Sequence, residues 1–229
     1  MTGPAGPRRL VLLRHGETAD NAAGIWQGHR DSALSARGEE QARRAAPVLA
    51  ARTPYVVVSS DLQRARRTAE AVARVAGLPV RTDRRLREID VGAWSGRTSA
   101  QVRKEDAATL EEMARGVDVR RGGTGETVAE VAARTRAAAD EVLADLPEGA
   151  VALLVSHGVA ARALAASLLG LEPMLAARML WGLGNCHWAT VAEARLVEGA
   201  PAGPAYRLEE WNAGVVPEPA PVVEGRDGG

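Results

Sequence analysis

Three features of the chain predict an α/β fold: a doubly wound, mostly parallel sheet with helices on both faces and one antiparallel edge strand. Leu10-Val11-Leu12-Leu13 and Val151-Ala152-Leu153-Leu154-Val155 are continuous apolar runs, as suits strands buried on both faces. Each run leads within a few residues to histidine followed by glycine, His15-Gly16 and His157-Gly158. Apolar strand also gives way to a capped helix start more than once, the rhythm of a doubly wound sheet. In such sheets ligands bind in the crevice beyond the strand carboxyl ends. Two strands of one sheet ending this way would therefore bring two imidazoles to one edge.

Taken in order, Met1 to Arg9 contains Gly3, Pro4, Gly6 and Pro7, and residues 1–8 read as a disordered leader. The first strand follows, then a loop through Asn21, Trp26, Gln27 and Gly28. Ser35 is placed to cap a helix with Glu39 and Glu40 in its first turns and Ala42, Ala45, Ala46 and Leu49 on its buried face. Pro54 to Val58 is a β-branched second strand. Ser59-Ser60-Asp61 is expected to cap the next helix, which runs through Arg64, Thr68 and Val72 to about Ala76 and stops at Gly77. Val80 to Thr82 reads as a short strand, and Leu86 to Gly96 as a loop at the same sheet edge. A polar, mildly helical stretch from Ser99 to Gly116 reads as a flap, inserted over about residues 97–124. The glycine-rich turn Arg120 to Glu126 leads into an Ala-rich helix from about Glu126 to Leu146. The second strand and His-Gly unit come next, then a helix from Ala160 to Leu169. His187 to Val191 and Ala205 to Trp211 form a closing pair of strands, one of them antiparallel to the rest. Residues 9–214 thus read as one domain, and the Pro- and Gly-rich residues 215–229 as a disordered tail.

Composition removes several function classes. The 29 basic and 29 acidic side chains balance, so no overall field draws nucleic acid or an anionic membrane. Lys104 is the only lysine and Phe is absent, a pattern of GC-rich coding, so each arginine must be argued individually. Cys186 stands alone, which excludes a disulfide framework and a thiolate metal cage. No run approaches the roughly 20 apolar residues of a membrane span, nor does the start resemble a signal peptide. The expected location is cytoplasmic.

The motifs then narrow the chemistry. Arg14 beside His15 disfavours the imidazolium and should lower its pKa below the usual ~6.5, so the neutral ring is either a nucleophile or an ordinary buried histidine at a strand end. The same guanidinium offers a fork for phosphate or carboxylate. Arg64, in the first turn of a helix starting at a strand's carboxyl end, adds a second guanidinium and a helix N-terminus at that crevice. Asn21 and Gln27 can donate from the neighbouring loop. Glu88 is either a proton donor and acceptor at this site or a solvated loop carboxylate. Other chemistries fit poorly. There is no His-Glu-x-x-His, and the four histidines are widely dispersed. Gly122-Gly123-Thr124-Gly125 lacks the P-loop lysine, no Gly-x-Gly-x-x-Gly follows a strand, and Leu154 replaces the first glycine of Gly-x-Ser-x-Gly around Ser156.

Leu13-Arg14-His15-Gly16-Glu17-Thr18 with Asn21, Gln27-Gly28 and Leu34-Ser35 resembles the opening signature of the histidine phosphatase, or phosphoglycerate-mutase-like, superfamily. Ser60-Asp61-Leu62-x-Arg64-Ala65-x-x-Thr68-Ala69, Leu86-x-Glu88 with Gly92-x-Trp94-x-Gly96, Gly125-Glu126-Thr127 and Ser156-His157-Gly158 are similar to its later blocks, and the closing residues resemble actinobacterial members. The resemblance implies a phosphoglycerate mutase-like fold and a phosphohistidine at His15. It implies that Arg14, Arg64 and His157 hold the phosphoryl oxygens, with Asn21 and the Gly158 backbone assisting, and that Glu88 moves the proton. Gln27 and Gly28 fall at the same site. No metal or other cofactor is implied, and the implied partner is a small phosphorylated substrate, with a homodimer left open. Mutases of this family carry Glu-Arg-His-Tyr-Gly where this chain has Glu88-Ile89-Asp90-Val91-Gly92, and a lysine where it has Ser99. Both differences favour hydrolysis. Val159 replaces a usual glycine, and could either crowd the phosphate loop or simply begin a helix. The expected activity is phosphomonoester hydrolysis. Mutase-type transfer is the alternative within the family, and an inactive phospho-ligand binding module the alternative outside it.

Overall fold

A computed structural model describes residues 6–194 and 205–215. The expected tail beyond Val215 and the first five residues of the expected leader lie outside them. The elements are β1 (Arg9–Arg14), α1 (Ala19–Ala22), α2 (Ala36–Ala50), β2 (Val56–Ser59), α3 (Gln63–Ala76), β3 (Val80–Thr82), α4 (Ser99–Glu105), α5 (Ala107–Ala114), α6 (Val128–Ala144), β4 (Val151–Ser156), α7 (Gly158–Leu168), α8 (Pro173–Met179), β5 (Trp188–Glu193) and β6 (Tyr206–Ala213). The strand order is β3-β2-β4-β1-β5-β6. The first four strands run parallel, β5 is antiparallel to β1, and β6 is antiparallel to β5. The reversed strand therefore lies one place inside the edge, and β6 at the edge runs with the parallel set. Among the described residues no single helix is long and apolar enough to cross a membrane.

Side chains alternate across the central strand, as the pleat requires. Leu10 and Leu12 pack with Leu154 of β4, Val142 of α6 and Leu164 of α7. Val11 and Leu13 pack on the other face with Val57, with Ala42 and Leu49 of α2, and with Ala69 and Val72 of α3. The helices following β1 and β4 thus cover opposite faces, although these strands are neighbours. That reversal opens the crevice at their carboxyl ends.

Several helix termini follow the expected chemistry and one does not. Ser35 Oγ accepts from the Gly38 amide at 3.1 Å, and Gly77 ends α3 in the left-handed conformation with φ 68°. For α3, however, the N-cap residue is Leu62, which makes no side-chain capping bond. Asp31, from a distant loop, accepts from the Gln63 amide at 2.7 Å, while Asp61 pairs with Arg87 at 2.6 Å. A tertiary contact thus caps the helix, and Ser60 Oγ accepts from the Leu62 amide at 3.3 Å. The Ala-rich helix begins at Val128, with Thr127 and Glu130 forming a capping box. Arg8, read as leader, is held by Glu193 and by the Leu143 carbonyl.

Helix α2 lies against the loop after β1. A Cβ on Gly38 would stand 2.0 Å from the Glu17 carbonyl oxygen, and one on Gly16 would stand 2.5 Å from the Gly38 oxygen. These contacts seat the His15 loop directly on the helix. Gly38→Ala is expected to lower stability by about 1–3 kcal/mol, the range for overpacking, measured as the denaturant midpoint at constant m-value.

Candidate active site

The parallel register of β1 and β4 pairs Arg14 with Ser156, so the next residue of each strand is a histidine. The His15 amide donates to the Ser156 carbonyl at 3.0 Å. The two imidazole centroids lie 5.0 Å apart, edge to face at 62°. His15 Nδ1 is 2.6 Å from the Gly16 carbonyl. An oxygen acceptor there requires the hydrogen on Nδ1, which leaves Nε2 with the lone pair. His157 shows the opposite tautomer. Its Nδ1 accepts from Arg64 Nε at 3.2 Å, and its Nε2 donates to Ser60 Oγ at 2.9 Å.

Both rings are held well below the ordinary imidazole value of 6.5. For His15 burial is the leading cause, followed by the charge of Arg64 and then that of Arg14. The adjacent arginine, the expected cause, contributes less than burial and the charge of Arg64. Arg64 is 1% exposed, and besides His157 it binds the carbonyls of Arg30 at 2.6 Å and Gly28 at 2.9 Å. Arg14 donates to the Leu183 carbonyl at 2.6 Å, and its buried Nε has no partner. Burial lowers both guanidiniums from their usual value and the carboxylate of Glu88 opposes that shift.

A cleft of about 250 Å³ is lined by Arg14, His15, Asn21, Gln27, Gly28, Arg64 and Glu88, with Trp26, Ser99 and Val159 on its walls. Seven of the residues singled out in the sequence therefore share one surface. His157 and Gly158 adjoin it without being among its lining residues. His157 is in contact with Arg64, and a Cβ on Gly158 would sit 3.6 Å from Arg14 Nε. The Asn21 carbonyl oxygen accepts from the Thr18 amide and from Asn185 Nδ2, and that of Gln27 accepts from Thr18 and Ser32 hydroxyls. Both amides therefore keep their NH2 donors for the cleft. Gly28 serves mainly to receive Arg64. At φ 51° a Cβ would meet Val91 Cγ2 at 2.8 Å, so the position demands glycine. Glu88 accepts from the Ile89, Val159 and Ala160 amides. Val159 is the second residue of α7, near the milder of its two expected outcomes, and it also forms part of the cleft wall.

Residues not singled out as site residues also support the cleft. Asn185 Nδ2 donates to the His15 carbonyl at 3.0 Å, Thr68 Oγ1 accepts from the Gly16 amide at 3.0 Å, and Ser156 Oγ donates to the Leu86 carbonyl at 2.7 Å. Thr68 and Ser156 lie inside quoted motifs, where a role could have been suspected. Asn185 falls in the Gly182 to Trp188 stretch that resembles actinobacterial members, which assigns it no role. Cys186 is buried and its thiol is pushed up to about 12 by burial, which removes it as a nucleophile. Among the described residues no three His, Cys, Asp or Glu side chains are grouped as metal ligands.

Fold and cleft together are those of an enzyme handling phosphoryl groups. The chain belongs to the histidine phosphatase superfamily (branch 1), whose family model matches residues 10–197, as the ordered motifs led us to expect. It is similar to the glucosyl-3-phosphoglycerate phosphatase of Mycolicibacterium vanbaalenii, with 41% identity over 216 residues covering 90% of this chain and 95% of the relative. It is also similar to a probable phosphoglycerate mutase, GpmB, of Yersinia enterocolitica, with 39% identity over 183 residues covering 80% and 84%. A mycobacterial glucosyl-3-phosphoglycerate phosphatase solved in complex with VO3 superposes with a TM-score of 0.82 at 38% identity, over 90% of this chain and 99% of that one.

The neutral histidines carry a stability signature. Each ring stays unprotonated in the fold well below 6.5, whereas in the unfolded chain it takes up a proton near ~6.5. The unfolded state then binds more protons, so stability present above that pH is lost as pH falls toward the folded values. Denaturant titrations from about pH 7.5 to 5 are expected to show a decline of up to about 1.4 kcal/mol per pH unit for each histidine. His15→Asn should remove one such contribution.

Proposed function

We propose that this protein is a metal-independent phosphomonoesterase acting on a small phosphorylated metabolite through a phosphohistidine at His15. What supports the reading most is the state of His15, a buried neutral ring with Nδ1 tied to the Gly16 carbonyl and two guanidiniums in the cleft that it lines. Arg14, Arg64, the Asn21 and Gln27 amides and the Gly158 N–H bind the phosphoryl oxygens. His157 holds Arg64 in place behind them. His15 Nε2 attacks phosphorus and the P–O bond to the alcohol breaks. The Glu88 carboxyl gives its proton to the departing oxygen. Glu88 then takes a proton from water, whose oxygen attacks the phosphohistidine, releasing inorganic phosphate and the free imidazole. Charge developing on the transferred group meets preformed donors, the largest electrostatic contribution such a site can make.

Hydrolysis is favoured over mutase transfer because Ser99, on the cleft wall, stands where the mutases carry a lysine. The names of the relatives make glucosyl-3-phosphoglycerate the first substrate to test and 3-phosphoglycerate the second. With either, the expected product is inorganic phosphate, without 2-phosphoglycerate. Turnover of p-nitrophenyl phosphate is expected to be unchanged by chelator. An acid-labile, base-stable phosphoenzyme should be trapped by quenching in alkali. His15→Ala should lower turnover by at least about 10³-fold, as removal of a covalent nucleophile does elsewhere. Full activity in that variant would overturn the mechanism.

A further inference from the structure

Glu88 sits on a segment that belongs to neither a strand nor an α-helix. Short 3-10 turns at Arg84–Leu86 and Gly92–Trp94 flank it, so its carbonyls must find partners elsewhere. Three of them converge on one side chain. Arg134, projecting from α6, donates through one terminal nitrogen to the carbonyls of Arg85 and Arg87, each at 2.7 Å, and through the other to that of Glu88 at 2.8 Å. Its Nε and second terminal nitrogen bind the two oxygens of Glu126, each at 2.8 Å. All five guanidinium donors are thereby used. Glu126 completes the grip by accepting from the Asp90 amide at 2.9 Å, while its own amide donates to the Asp90 carbonyl at 2.9 Å. His29 Nε2 adds a second donor to the Glu88 carbonyl at 2.9 Å. The segment is therefore held on both sides of Glu88, from behind, by groups that do not line the cleft.

We infer that Arg134, seated by Glu126, is a positioning residue that sets where the Glu88 carboxyl meets the departing oxygen. The inference rests on the reading of Glu88 as proton donor. A lysine could not replace the planar fork, since its three donors radiate from one nitrogen. A misplacement of about 1 Å is enough to cost a reacting group much of its effect.

The test compares leaving groups. p-Nitrophenolate departs with little need of a proton, whereas the alkoxide of β-glycerophosphate needs one. In kcat/KM, which reports phosphoenzyme formation, Arg134→Lys and Glu126→Gln should each lose about tenfold or more additional activity on β-glycerophosphate than on p-nitrophenyl phosphate. That loss is part of the roughly 10²–10⁴-fold value of a positioned acid. Inhibition by inorganic phosphate should be unchanged. Glu88→Gln should show the same selectivity, and adding Arg134→Lys to it should cost little more. Equal losses on both esters, or full additivity with Glu88→Gln, would make Arg134 merely structural and overturn the inference, and Glu126→Gln keeps the test open should Arg134→Lys fold poorly. If Glu88→Gln itself lacks selectivity, the proton-donor reading fails and the positioning role falls with it. If selectivity appears in Glu88→Gln alone, only the inference on Arg134 is lost.

Discussion

The parallel pairing of β1 with β4, with Arg14 opposite Ser156, is the constraint on which the site depends. It places two histidines one step past the last paired residues, with ring centroids 5.0 Å apart. Register in a buried strand is strongly specified, because a slip of one residue would turn every side chain to the wrong face. Here such a slip would exchange Leu10 and Leu12 for Val11 and Leu13 between two differently shaped layers. The core therefore sets the spacing of the imidazoles, and the residues at the crevice inherit it.

The second requirement is to bury two guanidiniums beside rings that must stay neutral. Isolated buried charge is expensive, and neither arginine has a carboxylate within ion-pair distance among the described residues. Arg64 is instead solvated by two backbone carbonyls and an imidazole nitrogen, and Arg14 by one carbonyl. Carbonyl dipoles stabilise the cations without cancelling their charge. The cleft thus remains attractive to an anion, and that same uncancelled charge reinforces burial in keeping the histidines unprotonated.

What could be read from the chain was whatever is written locally. Apolar runs marked β1 and β4, Ser35 and Gly77 marked helix ends, and the ordered motifs pointed to the family. The reading failed or fell short where a partner came from far along the chain. Asp31 caps α3 from 32 residues away, while Ser60 Oγ accepts from the Leu62 amide just before the helix and also meets His157. Arg134 reaches Glu88 across 46 residues, and Asn185 reaches His15 across 170. An arginine in an Ala-rich helix and an asparagine in a loop look like surface residues until the sheet is assembled. The place of β5 inside the edge was hidden for the same reason, since strand order is decided by contacts that no window of sequence contains.

One loop near the end of the chain has a consequence for the whole polypeptide. Leu183 offers its carbonyl to Arg14, Asn185 holds the carbonyl of His15, and the Cys186 amide donates to the carbonyls of both Arg14 and His15. Every group assigned a chemical task lies before residue 159, yet the mooring of the first of them is made only once the last third of the chain has arrived. A nascent chain halted before that loop would already hold Arg14, His15, Arg64, Glu88 and His157, yet would lack the Leu183, Asn185 and Cys186 contacts that moor the first two.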